Sequence, residues 1–128
     1  MRKVAGFTLI ELVVVIAILA ILAAVALPKF LDLRAEARIA AANGIAGTVA
    51  SGTAINFAKR LVTAAGWSTV SACTNGNLGS VVQGNVLPVG VSIAGAAAFG
   101  NGAIGTCTLE YSVAAGTATV TFFVTGAA

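Results

Sequence analysis

Residues Phe7–Leu27, FTLIELVVVIAILAILAAVAL, decide the architecture of this chain, and only Thr8 and Glu11 among them are polar. At about 1.5 Å per residue the run makes a helix roughly 31 Å long, enough to cross the hydrocarbon core of one bilayer. Arg2 and Lys3 precede it. A positive flank stays on the cytoplasmic side, so everything past Pro28 is expected beyond the membrane. Glu11 does not fit a plain anchor. An ionised carboxylate is costly among lipid tails, and an intramembrane charge points to a functional partner by default. Protonation, snorkelling to the nearby interface and a structural partner are the other ways to accommodate it.

The rest of the composition agrees with membrane association. The 128 residues suffice for one small domain and an appendage, 59% of them are apolar, and 9% are charged, against roughly 25% charge in ordinary soluble domains. Mean hydropathy is +1.02. Seven Lys and Arg against four Asp and Glu give a net charge of +3. Most of these charges lie in the first 38 positions, so the basic balance implies no nucleic-acid footprint. Histidine is absent, which removes the usual parts of zinc sites, Cys-His nucleophiles and His general bases. An enzyme is therefore not expected, nor a metal or a cofactor. Cys73 and Cys107 in an exported chain read as one disulfide, with two buried thiols as the alternative.

The amino-terminal residues carry a resemblance. Met1-Arg2-Lys3-Val4-Ala5-Gly6, then Phe7-Thr8-Leu9-Ile10-Glu11-Leu12-Val13-Val14-Val15-Ile16, and later Ala26-Leu27-Pro28-Lys29-Phe30, together resemble a type IV prepilin of the short-leader class. The Phe30-Leu31-Asp32-Leu33 continuation is similar, less specifically, to mannose-sensitive haemagglutinin pilins. The resemblance implies that a prepilin peptidase of the inner membrane cuts between Gly6 and Phe7 and methylates the new Phe7 amine. It further implies a homopolymer, a helical surface filament raised by an assembly platform and its ATPase. In that setting the Phe7 amine and the Glu11 carboxylate of a neighbouring subunit neutralise each other, so Glu11 sets register. Family members often have a helix-breaking glycine about eight residues before the proline; Ala20 stands there instead, which argues for a shorter melted stretch or none.

Hydrophobic helices leave a bilayer only for an equally apolar environment, and Ala17, Ala20, Ala23, Ala24 and Ala26 permit close helix approach. Pro28 lacks an amide donor and is expected to kink the helix near Val25–Pro28. From Lys29 to about Val62 no proline intervenes, and Phe30, Leu33, Ala37, Ala40, Ala41, Ile45, Val49, Phe57 and Leu61 recur at steps that predict an amphipathic continuation. Gly44, Gly47 and Gly52 lower its helix propensity and serve either close packing or flexibility. Asp32 and Glu36 share one helical flank; Arg34 and Arg38 lie roughly 200° away. Charges of one sign at that spacing repel within a subunit, an arrangement that suits inter-subunit contacts or a solvated collar.

From Ala64 onward Gly, Ala, Ser, Thr and Asn dominate and helical periodicity ends. Residues 107–113 alternate at period two, Ala114-Ala115-Gly116 predicts a turn, and Thr117–Thr125 is strongly β-prone, which together predict a hairpin. Val86–Ile93 is a third candidate strand, confined to an edge or a bulge by Pro88. Asn75-Gly76-Asn77 and Gly100-Asn101-Gly102 read as turns, with no Walker lysine or acidic ligands beside them. Trp67, Phe99 and Tyr111 read as core, and no separable substrate pocket is expected.

The expected fold is α+β: a long amino-terminal helix, half hydrophobic and half amphipathic, packed against a small antiparallel sheet of three or four strands. The expected segments are a leader over 1–6, a membrane and filament-core helix over 7–27, its amphipathic continuation over 28–62, and a disulfide-bridged head over 63–128. The expected function is a filament subunit, made as an inner-membrane precursor and displayed at the cell surface. A minor pilin or type II secretion pseudopilin is the nearest alternative. A bitopic anchored periplasmic binding module is the alternative of a different class, and a cleaved signal ending near Ala24-Val25-Ala26 is the plainest.

Overall fold

A computed structural model describes residues 6–63, 65–95, 98–114 and 116–128, with the backbone alone for Leu31 and Asp32. All of the expected leader but Gly6 lies outside the described residues, as do Ala115 of the expected turn and the Asp32 side chain. The chain falls into two compact units, Met1–Arg34 and Ala35–Ala128. Helix α1 (Leu9–Val62) contributes residues to both.

In the first unit every described side chain from Gly6 to Phe30 is exposed. The apolar window reaches a mean hydropathy of 3.1, and the helix is long and apolar enough to cross a membrane. Helical backbone runs unbroken through Ala20 and Pro28. Proline has no N–H to give the Ala24 carbonyl, yet no melted stretch precedes it in the isolated chain, where alanine at position 20 favours helix.

The second unit combines the rest of α1 with a short helix, α2 (Asn75–Gly79), and three strands, β1 (Val91–Gly95), β2 (Ile104–Val113) and β3 (Gly116–Thr125). The sheet is antiparallel in the order β1-β2-β3. The hairpin forms as expected, with Val113 opposite Gly116 and Ile104 opposite Thr125. The third strand lies later than expected. Pro88 and Val89 occupy a turn closed by the Val91 amide on the Pro88 carbonyl at 3.2 Å, and Gly90 supplies its φ of 84°, as a type II turn requires. Asn75-Gly76-Asn77 is likewise not an isolated turn but the start of α2, capped by the Thr74 hydroxyl, which accepts from the Asn77 amide at 3.3 Å.

Alternation on β2 and β3 turns Cys107, Leu109, Ala118, Phe122 and Val124 inward. They meet Leu78 from α2 and Ala42, Ala46 and Val49 from α1. Fully burying a side chain such as Leu109 contributes about 1.5–3 kcal/mol. The buried stripe of α1 keeps Val49 of the one periodicity picked out, with Ile45 half-buried beside it, and otherwise differs. Its members are Ala42, Ala46, Val49, Thr53 and Asn56, while Phe30, Leu33 and Leu61 are exposed, as are Ala37, Ala40 and Ala41. Small residues at three- and four-residue steps let the helix settle on the sheet.

Gly52 is a close-approach position: a Cβ there would lie 2.6 Å from the Val81 carbonyl oxygen. Added Cβ atoms at Gly44 and Gly47 would meet nothing within 4 Å. Phe99 is buried and its ring fills the space over Gly105. Trp67 and Tyr111 are half-buried against the core, as expected for single aromatics.

Candidate functional site

The start of α1 is built from local chemistry. Gly6, Phe7 and Thr8 are non-helical and exposed, and the helix begins at Leu9. A helix start leaves its first amides unpaired, and here Thr8 and Glu11 serve one another. The Thr8 amide and the Thr8 hydroxyl both donate to Glu11 Oε2 at 2.8 Å. The Glu11 amide donates back to Thr8 Oγ1 at 3.3 Å. This is a capping box, Thr at the cap and Glu three residues on, and the acid also sits at the favourable end of the helix dipole. The pattern Thr-x-x-Glu before an apolar run was legible in the sequence; reading Glu11 only as a charge in need of a distant partner passed over it.

The Gly6–Phe7 peptide bond therefore lies in exposed, non-helical backbone just outside the first helical turn. A Cβ added at Gly6 would touch nothing within 4 Å, so the chain's own fold does not demand glycine there. Phe7 is 89% exposed. Among the described residues nothing bonds Glu11 Oε1, which leaves one carboxylate oxygen for a group from outside the chain.

The charged residues after Pro28 do not behave alike. Arg34 and Glu36 are exposed, whereas Arg38 is half-buried. Arg38 lies against the hairpin of its own head, since a Cβ at Gly116 would stand 3.4 Å from its Cζ and Nη2. Of the four residues singled out, Arg38 thus has an internal packing role.

Cys73 and Cys107 form a disulfide, with Cα atoms 5.5 Å apart. It ties the segment before α2 to the central strand. Gly95 lies opposite Cys107 in the register, and a Cβ on it would stand 2.8 Å from Cys73 Sγ, so the bridge occupies the place of a side chain.

Two polar residues of α1, not anticipated from sequence, fasten the head. The buried Asn56 amide donates from Nδ2 to the Ser68 carbonyl at 2.6 Å and accepts from the Ser68 amide at 2.7 Å. Buried Thr53 donates to the Ala50 carbonyl at 2.8 Å and accepts the Thr125 amide at 3.2 Å. Their spacing from Val49 continues the buried stripe, the one signal that marked them. An open polar cleft of about 490 Å³ lies beside Asn56, lined also by Lys59, Trp67, Gln83 and Asn85; no such pocket was expected. One face of Trp67 there is taken by Arg60, 4.8 Å from the ring centroid.

Comparison with known proteins bears on the helix start above all. Residues 1–27 match the prokaryotic N-terminal methylation motif. A type IV narrow pilus major component, PilA5, of Thermus thermophilus is 47% identical over 53 residues, 41% of this chain and 46% of that protein. The match thus covers just under half the length of this relative. No solved structure matches. The motif and the relative make part of this chain similar to type IV pilins.

Proposed function

We propose that this chain is a precursor cut between Gly6 and Phe7 and that the mature chain polymerises into a type IV pilus filament. The observation that carries the reading is the methylation motif over residues 1–27, within which the exposed Gly6–Phe7 bond directly precedes an exposed apolar helix. A peptidase needs extended backbone in its cleft, and residues 6–8 are already non-helical.

Cleavage creates an amine on Phe7, the residue before the cap. Glu11 Oε2 is held by Thr8 in its own chain, and Oε1 receives the methylated Phe7 amine of a neighbouring subunit in a staggered stack. A buried charge that loses its partner is heavily penalised, whereas a paired and hydrogen-bonded set nearly breaks even. The contact therefore selects register rather than adding net stability. Leu9–Leu27 helices, uncovered in the single chain, exchange lipid for one another, with Ala17, Ala20, Ala23 and Ala24 allowing close approach. Pro28 places the local weakness of the helix where the apolar segment ends. Asp32, Arg34 and Glu36 then lie where the helices of adjacent subunits leave the apolar zone, and opposite flanks meet between subunits.

The precursor waits in the inner membrane with its head outside the cytoplasm, and a peptidase-methyltransferase, an assembly platform and an ATPase act on it. Mass spectrometry of the mature protein tests this first. The expected amino terminus is Phe7 carrying one extra methyl group; an intact Met1, or a start near Leu27, overturns the reading.

A further inference from the structure

The two edges of the sheet differ in what their outward backbone groups do. On β1 the alternation is fixed by the Ser112 amide, which donates to the Gly90 carbonyl at 2.8 Å; Val91 and Ile93 therefore point away from β2. Both of those amides are served within the chain. Val91 donates to the Pro88 carbonyl at 3.2 Å and Ile93 to Asn75 Oδ1 at 2.6 Å. Gly95, the third outward residue of β1, has no amide bond of this kind among the described residues, so that edge is closed over Val91 and Ile93 only.

The outer edge of β3 is served by the chain itself only at its carboxy-terminal end. Thr125 donates away from β2, to Thr53, and Ala127 pairs outward with Val70 through bonds of 2.9 and 3.0 Å. Gly126, between them, donates to the Ala103 carbonyl at 2.8 Å on the β2 side. The register holds without a bulge from Ile104–Thr125 to Val113–Gly116, so Thr117, Thr119, Thr121 and Phe123 also direct N–H and C=O outward. Among the described residues none of these four amides has a partner. Side chains do not shield the edge: Gly116–Thr125 holds no lysine, no proline and no charge, the devices by which exposed edges are normally blunted.

We propose that the β3 edge is an interaction surface whose partner is the β3 edge of a second copy, paired antiparallel. Such a pairing is self-complementary, because the same outward residues donate and accept on both sides. Little charge opposes it, since beyond Arg38 the sequence carries only Lys59, Arg60 and Glu110. The outward side chains Thr117, Thr119 and Thr121 present rows of hydroxyl and methyl groups that match their own copies. A two-fold contact closes on itself and cannot extend a head-to-tail polymer. Taken with the filament reading, on which this part rests, the contact joins one filament to another and bundles them.

The test compares Thr119→Pro with Thr119→Val. Proline removes the outward N–H while the β2–β3 ladder, made by the even-numbered residues of β3, keeps its bonds; valine keeps the donor and the strand preference. Negative-stain microscopy of purified filaments is expected to show bundles for wild type and Thr119→Val and single filaments for Thr119→Pro. Bundling by all three, or its loss in both variants, overturns the proposal. Full-length protein in detergent separates this from the filament reading. Amide exchange at Thr117, Thr119 and Thr121 is expected to slow at least about tenfold as the chain is concentrated. Exchange that stays fast at every concentration, or is slow even at high dilution, overturns edge pairing whether or not filaments form.

Discussion

Glu11 Oε2 lies 2.8 Å from both the amide nitrogen and the hydroxyl of Thr8. The acid that marks the apolar segment is thus already committed to the start of its own helix before any neighbour arrives. One of its two oxygens, Oε2, holds the first turn.

Glu11→Gln is expected to abolish filaments while leaving cleavage at Gly6–Phe7 in place, since glutamine still caps the helix but carries no charge. Thr8→Val removes the hydroxyl and keeps the amide, so it is expected to lower filament yield without eliminating it, and Thr8→Ser to restore it. Sheared-filament yield and the mass of the cell-bound protein read the two steps separately. Normal yield from Glu11→Gln would remove the neutralisation mechanism.

The disulfide closes a segment with a sequence separation of 34, for which chain entropy gives a stabilisation of about 3–4 kcal/mol. Replacing both Cys73 and Cys107 by serine is expected to lower the thermal midpoint of the head by many degrees, followed by near-ultraviolet circular dichroism. Reductant should depress the wild-type midpoint and leave that of the double variant unchanged.

Gly95→Ala sets a methyl 2.8 Å from Cys73 Sγ, and Gly105→Ala drives one into the Phe99 ring. Overpacking of this kind costs about 1–3 kcal/mol. Gly100→Ala, with nothing within 4 Å, serves as the near-neutral control. Urea titrations of the three variants should rank Gly100→Ala well above the others.

Asn56→Ala leaves the Ser68 amide and carbonyl without their partners, each worth about 1–3 kcal/mol when buried. Asn56→Asp keeps the acceptor and loses the donor to the Ser68 carbonyl, so an intermediate loss is expected. Equal stability of all three proteins would show that water replaces the clamp.

Arg34→Glu or Glu36→Arg alone is expected to reduce filament yield, and the two together to recover it, if opposite flanks meet between subunits. Arg38 is left unchanged because it packs on the hairpin turn. Equal yields across the series would assign these side chains to the solvated collar.

The amino-terminal half was legible because its signals are local. An unbroken apolar run and one acid at its start are each read from adjacent residues, and so is the β2–β3 hairpin, through alternation and its turn. The α1 stripe was only partly placed, with Val49 and Ile45 read correctly, because periodicity weighs large apolar residues whereas the sheet selects the helical face that allows the closest approach. Ala42 and Ala46 hold that contact, and Leu61 is exposed.

Sequence by itself determined the long helix, the hairpin, the cysteine pair and the resemblance to prepilins, all consequences of hydropathy, strand propensity and short motifs. Tertiary structure alone decided that Asn56 holds Ser68, that Gly95 makes room for the disulfide, and which outward amides of the sheet edges find partners within the chain. Those outcomes depend on which backbone groups meet across long separations, and such meetings are fixed by packing geometry rather than by any residue's own preference.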